Sequence, residues 1–131
     1  MHLSLARTVL DALQASDDPK VNTKPWGREY EVSLPGEFQL KVIEVDNGEC
    51  TSLQLHESKD EVLVIIEGTG HVAIHDRADY TQPCEIHTRD VDPKIRITPG
   101  TVHRAWGPVR MIEFSNYHPT DVVRLADDYD R

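Results

Sequence analysis

Three observations predict an all-β domain, a sandwich or barrel. From residue 28 onward short β-type runs follow one another, Gly- and Pro-containing pieces punctuate them, and only one segment carries a helical pattern. At 131 residues the chain has room for one hydrophobic core and not for two.

The helical pattern comes first. "MHLSLARTVLDALQASDD" places Leu3, Ala6, Val9, Leu10 and Leu13 on one face, the spacing of a short amphipathic helix packed on the outside of the domain or used as a dimer contact. Arg7 and Asp11 interrupt it too early for a signal-peptide core or a membrane span. "ASDDPKVNTKP" is polar, holds two prolines and reads as a linker. The expected organisation is therefore an N-terminal helix and linker over 1–21 and a single domain over 22–131. The β-type runs are "REYEVSL", "FQLKVIEV", "TSLQLH", "EVLVIIE", "HVAIH", "KIRIT" and "VRMIEF", separated by "PGE", "DNGE", "EGTG", a long polar loop and "PGT".

Charge narrows the partners. Lys and Arg number 14 against 23 Asp and Glu, a formal charge of −9, which argues against a nucleic-acid backbone or an anionic membrane surface and favours a small molecule. Two cysteines, Cys50 and Cys84, do not make a disulfide scaffold and are expected reduced, in the cytoplasm.

Period-two alternation assigns faces. In "TSLQLH", Leu53 and Leu55 share one side, and Ser52, Gln54 and His56 the other. "EVLVIIE" is apolar on both sides, the pattern of a strand buried on both, and Glu61 opens it on the side of Leu63 and Ile65. A carboxylate at the start of such a strand needs a partner. A divalent ion would supply one, because Gln and Glu offer oxygen and His a neutral imidazole nitrogen, so that Gln54, His56 and Glu61 become candidate ligands. His103 in "TPGTVHRAWG", delivered by a Pro-Gly turn to the start of another strand, is the candidate fourth. Polar residues around a hairpin would produce the same spacing without a metal.

In context the residues resemble the cupin superfamily. Gly48, Gln54 in the first His place, His56, Glu61 and Gly68 fit its first motif at every spacing; Gly100 and His103 fit its second, with the proline displaced to Pro99 and the final Asn replaced by Gly107. More narrowly, the chain is similar to the cupin domain of type II phosphomannose isomerases. The resemblance rests on Lys24-Pro25-Trp26-Gly27, on the Gln-x-His-x4-Glu of Gln54 to Glu61, on Gly100-Thr101-Val102-His103-Arg104, and on "TDVVRLADDYDR" with Asp121, Arg124, Tyr129 and Arg131. It covers residues 22–131. It departs at Glu57 and Ser58, where that family commonly has two further histidines, and in the long acidic loop "DRADYTQPCEIHTRDVDPK".

The resemblance implies a double-stranded β-helix (jelly-roll) barrel and a metal-dependent aldose–ketose isomerisation through an enediolate, on a sugar or a mannose-6-phosphate-like sugar phosphate. One divalent ion is expected, zinc first, with manganese, iron, nickel and cobalt also suited to two nitrogens and two oxygens. Candidate bases are Glu113, Lys41, Glu44, His71 and His75, and alternation forbids Lys41 and Glu44 from both facing inward. Glu113 leads, from an otherwise apolar strand and a matching acidic position in the family; Lys41 is kept beside it. Arg104 is a candidate substrate-binding residue, although alternation aims it away from His103. Trp26 and Trp106 read as core or rim packing, and His75 and His87 as exposed. A homodimer is expected by analogy. Two other classes stay open: a metal-dependent dioxygenase, and a sugar-binding or regulatory cupin without catalysis.

Overall fold

The structure is a computed structural model and describes residues 20–33, 38–116 and 121–129. The expected N-terminal helix, His118 and Arg131 lie outside them. The described residues form eleven strands and no helix; none of the chain described is a helix long and apolar enough to cross a membrane.

The strands are β1 (Lys20–Lys24), β2 (Gly27–Ser33), β3 (Phe38–Val45), β4 (Leu53–His56), β5 (Glu61–Gly68), β6 (His71–His75), β7 (Pro83–His87), β8 (Lys94–Ile97), β9 (His103–Trp106), β10 (Val109–Asn116) and β11 (Val122–Ala126). They make a six-stranded sheet, β1-β2-β3-β10-β5-β8, and a five-stranded sheet, β11-β4-β9-β6-β7, with every pair antiparallel. This is the barrel architecture the strand runs predict. Sequence neighbours are often not sheet neighbours: β10 lies between β3 and β5, and β9 between β4 and β6.

The inner faces meet in one core. Trp26, Ile43, Val45, Leu63, Ile65, Val72, Ile95, Ile97, Ala105, Val109 and Met111 form it, each large side chain stabilising the fold by about 1.5–3 kcal/mol through burial. Beyond one end of this core the inward positions turn polar: Lys41 on β3, Gln54 and His56 on β4, Glu61 on β5, His103 on β9 and Glu113 on β10. The same alternation that fills the core therefore also builds the site.

The strand expectations need four corrections. "KVNTK", read as linker, is β1, which pairs with β2 from Lys20↔Glu31 to Lys24↔Gly27. β7 sits in the long polar loop and β11 in the C-terminal segment. These three are edge strands with no fully buried residue, so they carry little hydrophobic alternation to read. β5 is not buried on both faces, since Val62 on its outer side is 39% exposed. Further along, a bulge opposite Arg110 and Met111 leaves Ile66 as an extra residue, which packs with Val42, Tyr30, Val64 and Ile112 on the outer face.

Candidate metal centre

Short-range geometry fixes the first two polar residues. Just before β4, Ser52 Oγ donates to Gln54 Oε1 at 2.6 Å, and Gln54 and His56 line the cavity, so the polar side expected for this segment is the side that faces it. Gln54 is in direct register with His103 across β4 and β9. The turn before β9 is anchored to β4 itself: Gly100, at a φ of +83° that favours glycine, donates its N–H to the His56 carbonyl at 2.8 Å. "PGT" thus delivers His103 beside His56, and the two imidazole centroids lie 5.8 Å apart.

Glu61 completes the arrangement from the facing sheet. Its Oε2 is 4.0 Å from His56 Nε2 and its Oε1 is 3.8 Å from His103 Nε2. Ligand atoms of His56, Glu61 and His103 all fall within 4.8 Å of one another. Donors held about 2.0–2.2 Å from a common ion stand roughly 3–4 Å apart, so the donor set fits a divalent metal with small adjustment. Gln54 lines the same cavity, and its carbonyl oxygen keeps a second lone pair beyond the one Ser52 occupies.

Protonation states agree with that fit. Burial pushes the His103 imidazole down to about 4 and lowers His56, so both nitrogens are neutral donors. Burial, reinforced by nearby Glu113, pushes the Glu61 carboxyl well above its ordinary range. Glu61 Oε2 and Glu113 Oε2 are both buried without a hydrogen-bond partner. A buried carboxyl group that turns one oxygen toward each of two neutral imidazoles and accepts no hydrogen bond on Oε2 fits a cation held among the three side chains.

Part of the charge balance comes from Lys59. It sits in the charged turn of residues 57–60, which its sequence suits to an exposed hairpin tip or to the cavity mouth; it turns inward and is 5% exposed, while Glu57 and Ser58 are exposed. Its Nζ donates to Glu113 Oε1 at 3.1 Å and stands 3.2 Å from Glu61 Oε2, an ion-pair distance without hydrogen-bond alignment. Burial disfavours the ammonium, but the two carboxylates outweigh it and hold its pKa at about 12. Glu113, buried as well, is kept below the ordinary carboxylate value by Lys59 and Lys41. Nothing in the local pattern "HESKDE" distinguishes Lys59 from its exposed neighbours; the signal that could have found it is the pair of inward carboxylates with no other counter-charge.

These groups line one cavity of about 340 Å³. Its apolar wall includes Trp26, Ile43, Leu63, Val72, Ala105 and Met111. Glu113 and Lys41 both line it, in register with each other on β10 and β3, and Lys41 is paired to Glu29 at 3.3 Å and Glu31 at 3.8 Å. Glu44 points the other way, to Arg28 and Arg110. His71, His75 and His87 are not among the lining residues. Neither is Arg104: its guanidinium donates to the Thr51 carbonyl and to Asp128 and stacks over Trp106, so it holds the C-terminal segment and has no free donor aimed at a ligand in the cavity.

Comparison with known proteins gives the family and the fold. The family model described as "Mannose-6-phosphate isomerase C-terminal" matches residues 14–88. The chain is 30% identical over 115 residues to the alginate biosynthesis protein AlgA of Pseudomonas aeruginosa, and likewise 30% identical over 115 residues to the mannose-1-phosphate guanylyltransferase of Escherichia coli. Each match takes in 82% of this chain and 22% of the relative; other AlgA matches take in 10% of theirs, so the chain spans under a quarter of the length of these relatives. Among solved structures, the capsular polysaccharide assembling protein CapF of Staphylococcus aureus superposes with a TM-score of 0.64 at 20% identity, covering 85% of this chain and 33% of that one. Oxalate decarboxylase of Bacillus subtilis gives 0.61 at 15% identity, covering 82% and 30%. The fold is thereby a cupin, and the chain belongs to the mannose-6-phosphate isomerase C-terminal family.

Proposed function

We propose that this chain carries a metal-dependent aldose–ketose isomerase site for a sugar phosphate. The observation that carries the proposal is the placement, in one cavity, of a His56–Glu61–His103 donor set next to a buried Lys59–Glu113 ion pair. Gln54, His56, Glu61 and His103 would hold the ion, and a divalent ion held there would stabilise negative charge developing on the sugar oxygens.

The chain's own residues supply the proton transfer. Glu113, held ionised by Lys59 and with Oε2 free of donors, is the base that removes the proton beside the carbonyl and returns it to the neighbouring carbon. Lys59 keeps that carboxylate in place and charged. The apolar wall around Trp26 and Leu63 excludes bulk water from the proton in transit. Lys20, Lys24 and Arg124 line the same cavity, the first and last exposed, and have no ion-pair partner among the described residues. In a chain of charge −9, three cations gathered at one rim support a phosphate on the substrate.

The test is ketose formation from mannose 6-phosphate and from free aldoses, with and without chelator, and with Gln54→Ala and His56→Ala as controls. Metal-dependent turnover lost in both variants supports the reading; no turnover on any aldose removes it. Oxygen uptake by iron-loaded protein would point to a dioxygenase, and sugar binding without turnover to a binding cupin. A second reading rests on Lys59. Its ammonium already places positive charge against Glu61, so a metal-free sugar isomerase or epimerase could use the same groups. Full activity in protein shown by elemental analysis to hold no metal would favour that reading. A homodimer belongs to the proposal as well, with the stacked, exposed Phe38 and Phe114 beside exposed Val62 as the apolar patch it would cover.

A further inference from the structure

Asp121 lies just before β11 and is not among the residues that line the cavity, yet it holds two parts of the site. Its Oδ1 is 2.9 Å from His56 Nδ1. Its Oδ2 accepts from the backbone N–H of Ser58 at 3.0 Å and of Lys59 at 2.7 Å. The Asp121 carbonyl accepts from Glu57 N, and Val122 pairs with His56 across the strands, so the contact is built into the β4–β11 ladder. With a side chain only 10% exposed, Asp121 is well placed to keep these bonds in competition with water.

We infer that Asp121 is a positioning residue that fixes the ring of His56 and the turn that carries Lys59 inward. The first half follows from what each atom can do. An ionised carboxylate only accepts, so His56 carries its proton on Nδ1 and presents the lone pair of Nε2, the nitrogen that faces Glu61. His103 reaches the same state by another route: its Nδ1 donates to the Thr101 carbonyl at 3.0 Å, which leaves its Nε2 toward Glu61. Two imidazoles thus have matched tautomers, one set by its own turn and the other by a side chain 65 positions away. The second half concerns the backbone. Residues 57–60 form a tip from which Lys59 alone goes inward, and two consecutive N–H groups of that tip end on one Asp121 oxygen. Loss of the carboxylate therefore loosens a candidate ligand and the partner of Glu113 together.

The inference rests on the metal-site reading for the role of Nε2, and the experiment separates the two. Long-range proton–nitrogen correlation on metal-free, histidine-labelled wild type at neutral pH should show His56 protonated on Nδ1; protonation on Nε2 overturns the inference. Amide exchange at Ser58 and Lys59 should be slow in wild type and faster in Asp121→Asn, whose amide can still accept from Nδ1 but turns its NH2 toward the two backbone donors. Folded Asp121→Ala should mix the two His56 tautomers and weaken zinc binding about 10- to 100-fold in competition with a chromophoric chelator. Unchanged zinc affinity and unchanged amide exchange in that variant would also overturn the inference. Should Asp121→Ala fail to fold, the wild-type tautomer and Asp121→Asn exchange still decide. Wild-type protein that binds no zinc removes the metal reading, while the tautomer and exchange rates continue to judge Asp121.

Discussion

Lys59 Nζ lies 3.1 Å from Glu113 Oε1, with both side chains about 5% exposed, and this pair ties the turn between β4 and β5 to β10, an interior strand of the six-stranded sheet. Removing one member of such a pair leaves the other charge buried without compensation. Lys59→Met should therefore destabilise metal-free protein by about 3–5 kcal/mol, read from urea unfolding. The double variant Lys59→Met/Glu113→Gln should lose less than the sum of the single variants, with a coupling on the order of 1–3 kcal/mol. A Lys59→Met protein as stable as its parent would mean that the ammonium is not held between the carboxylates.

His103 gives the fold an acid limit. In the unfolded chain it titrates near 6.5 and in the folded chain, where burial disfavours the imidazolium, at about 4. Between these values the unfolded chain binds a proton that the folded chain does not, so stability is full above pH 6.5 and falls as pH drops toward 4. The loss from this group approaches roughly 3 kcal/mol at the lower end. Glu113 and Asp121, both held below the ordinary carboxylate value, add a further loss that begins at lower pH. Denaturant midpoints of chelator-treated protein at pH 7 and pH 5 should differ more in wild type than in His103→Gln; equal differences would show that His103 is not buried neutral.

How much of this was legible in the sequence depends on how local the signal is. That Gln54, His56 and Glu61 share one inward side was legible because alternation within a strand decides which side a residue takes, and that His103 joins them because a Pro-Gly turn marks where a strand begins. The inward place of Glu113 was legible because a carboxylate in an apolar strand is costly unless it has a partner. The burial of Lys59 was not legible because it is decided by Glu61 and by Glu113, 54 positions away, and by the grip of Asp121 on its backbone. β1, β7 and β11 were missed because strands that bury little apolar surface need no alternation, and their identity comes from the neighbour they pair with. Arg104 shows the converse. Its position after His103 invites a role in the site, but alternation sends it to the outside of the sheet, where it meets Asp128.

Phosphate recognition at the rim has its own signature. Lys24→Ala and Arg124→Ala should each raise KM for mannose 6-phosphate roughly fivefold, corresponding to about 1 kcal/mol for a partly exposed charge contact. The effect should shrink as salt is raised, since exposed charges are screened over about 10 Å at 0.1 M. KM for free mannose should not move. Equal effects on both sugars would assign these residues to shaping the cavity, not to the phosphate.

Arg104→Ala separates a structural pin from a substrate contact. The Arg104 Nε donates to the Thr51 carbonyl at 2.8 Å and its Nη2 to Asp128 Oδ1 at 3.0 Å, with a side chain 12% exposed. Asp128 in turn accepts from Cys50 Sγ, and Tyr129 hydrogen-bonds Glu49 and the Cys50 N–H, so the pin belongs to a small network that closes the C-terminal segment over the start of β4. Losing two charge-assisted bonds of which one is partly exposed should cost about 1–3 kcal/mol of stability. At a temperature where the variant remains folded, KM should match wild type, because nothing in the cavity has changed. A raised KM with unaltered stability would return Arg104 to the substrate.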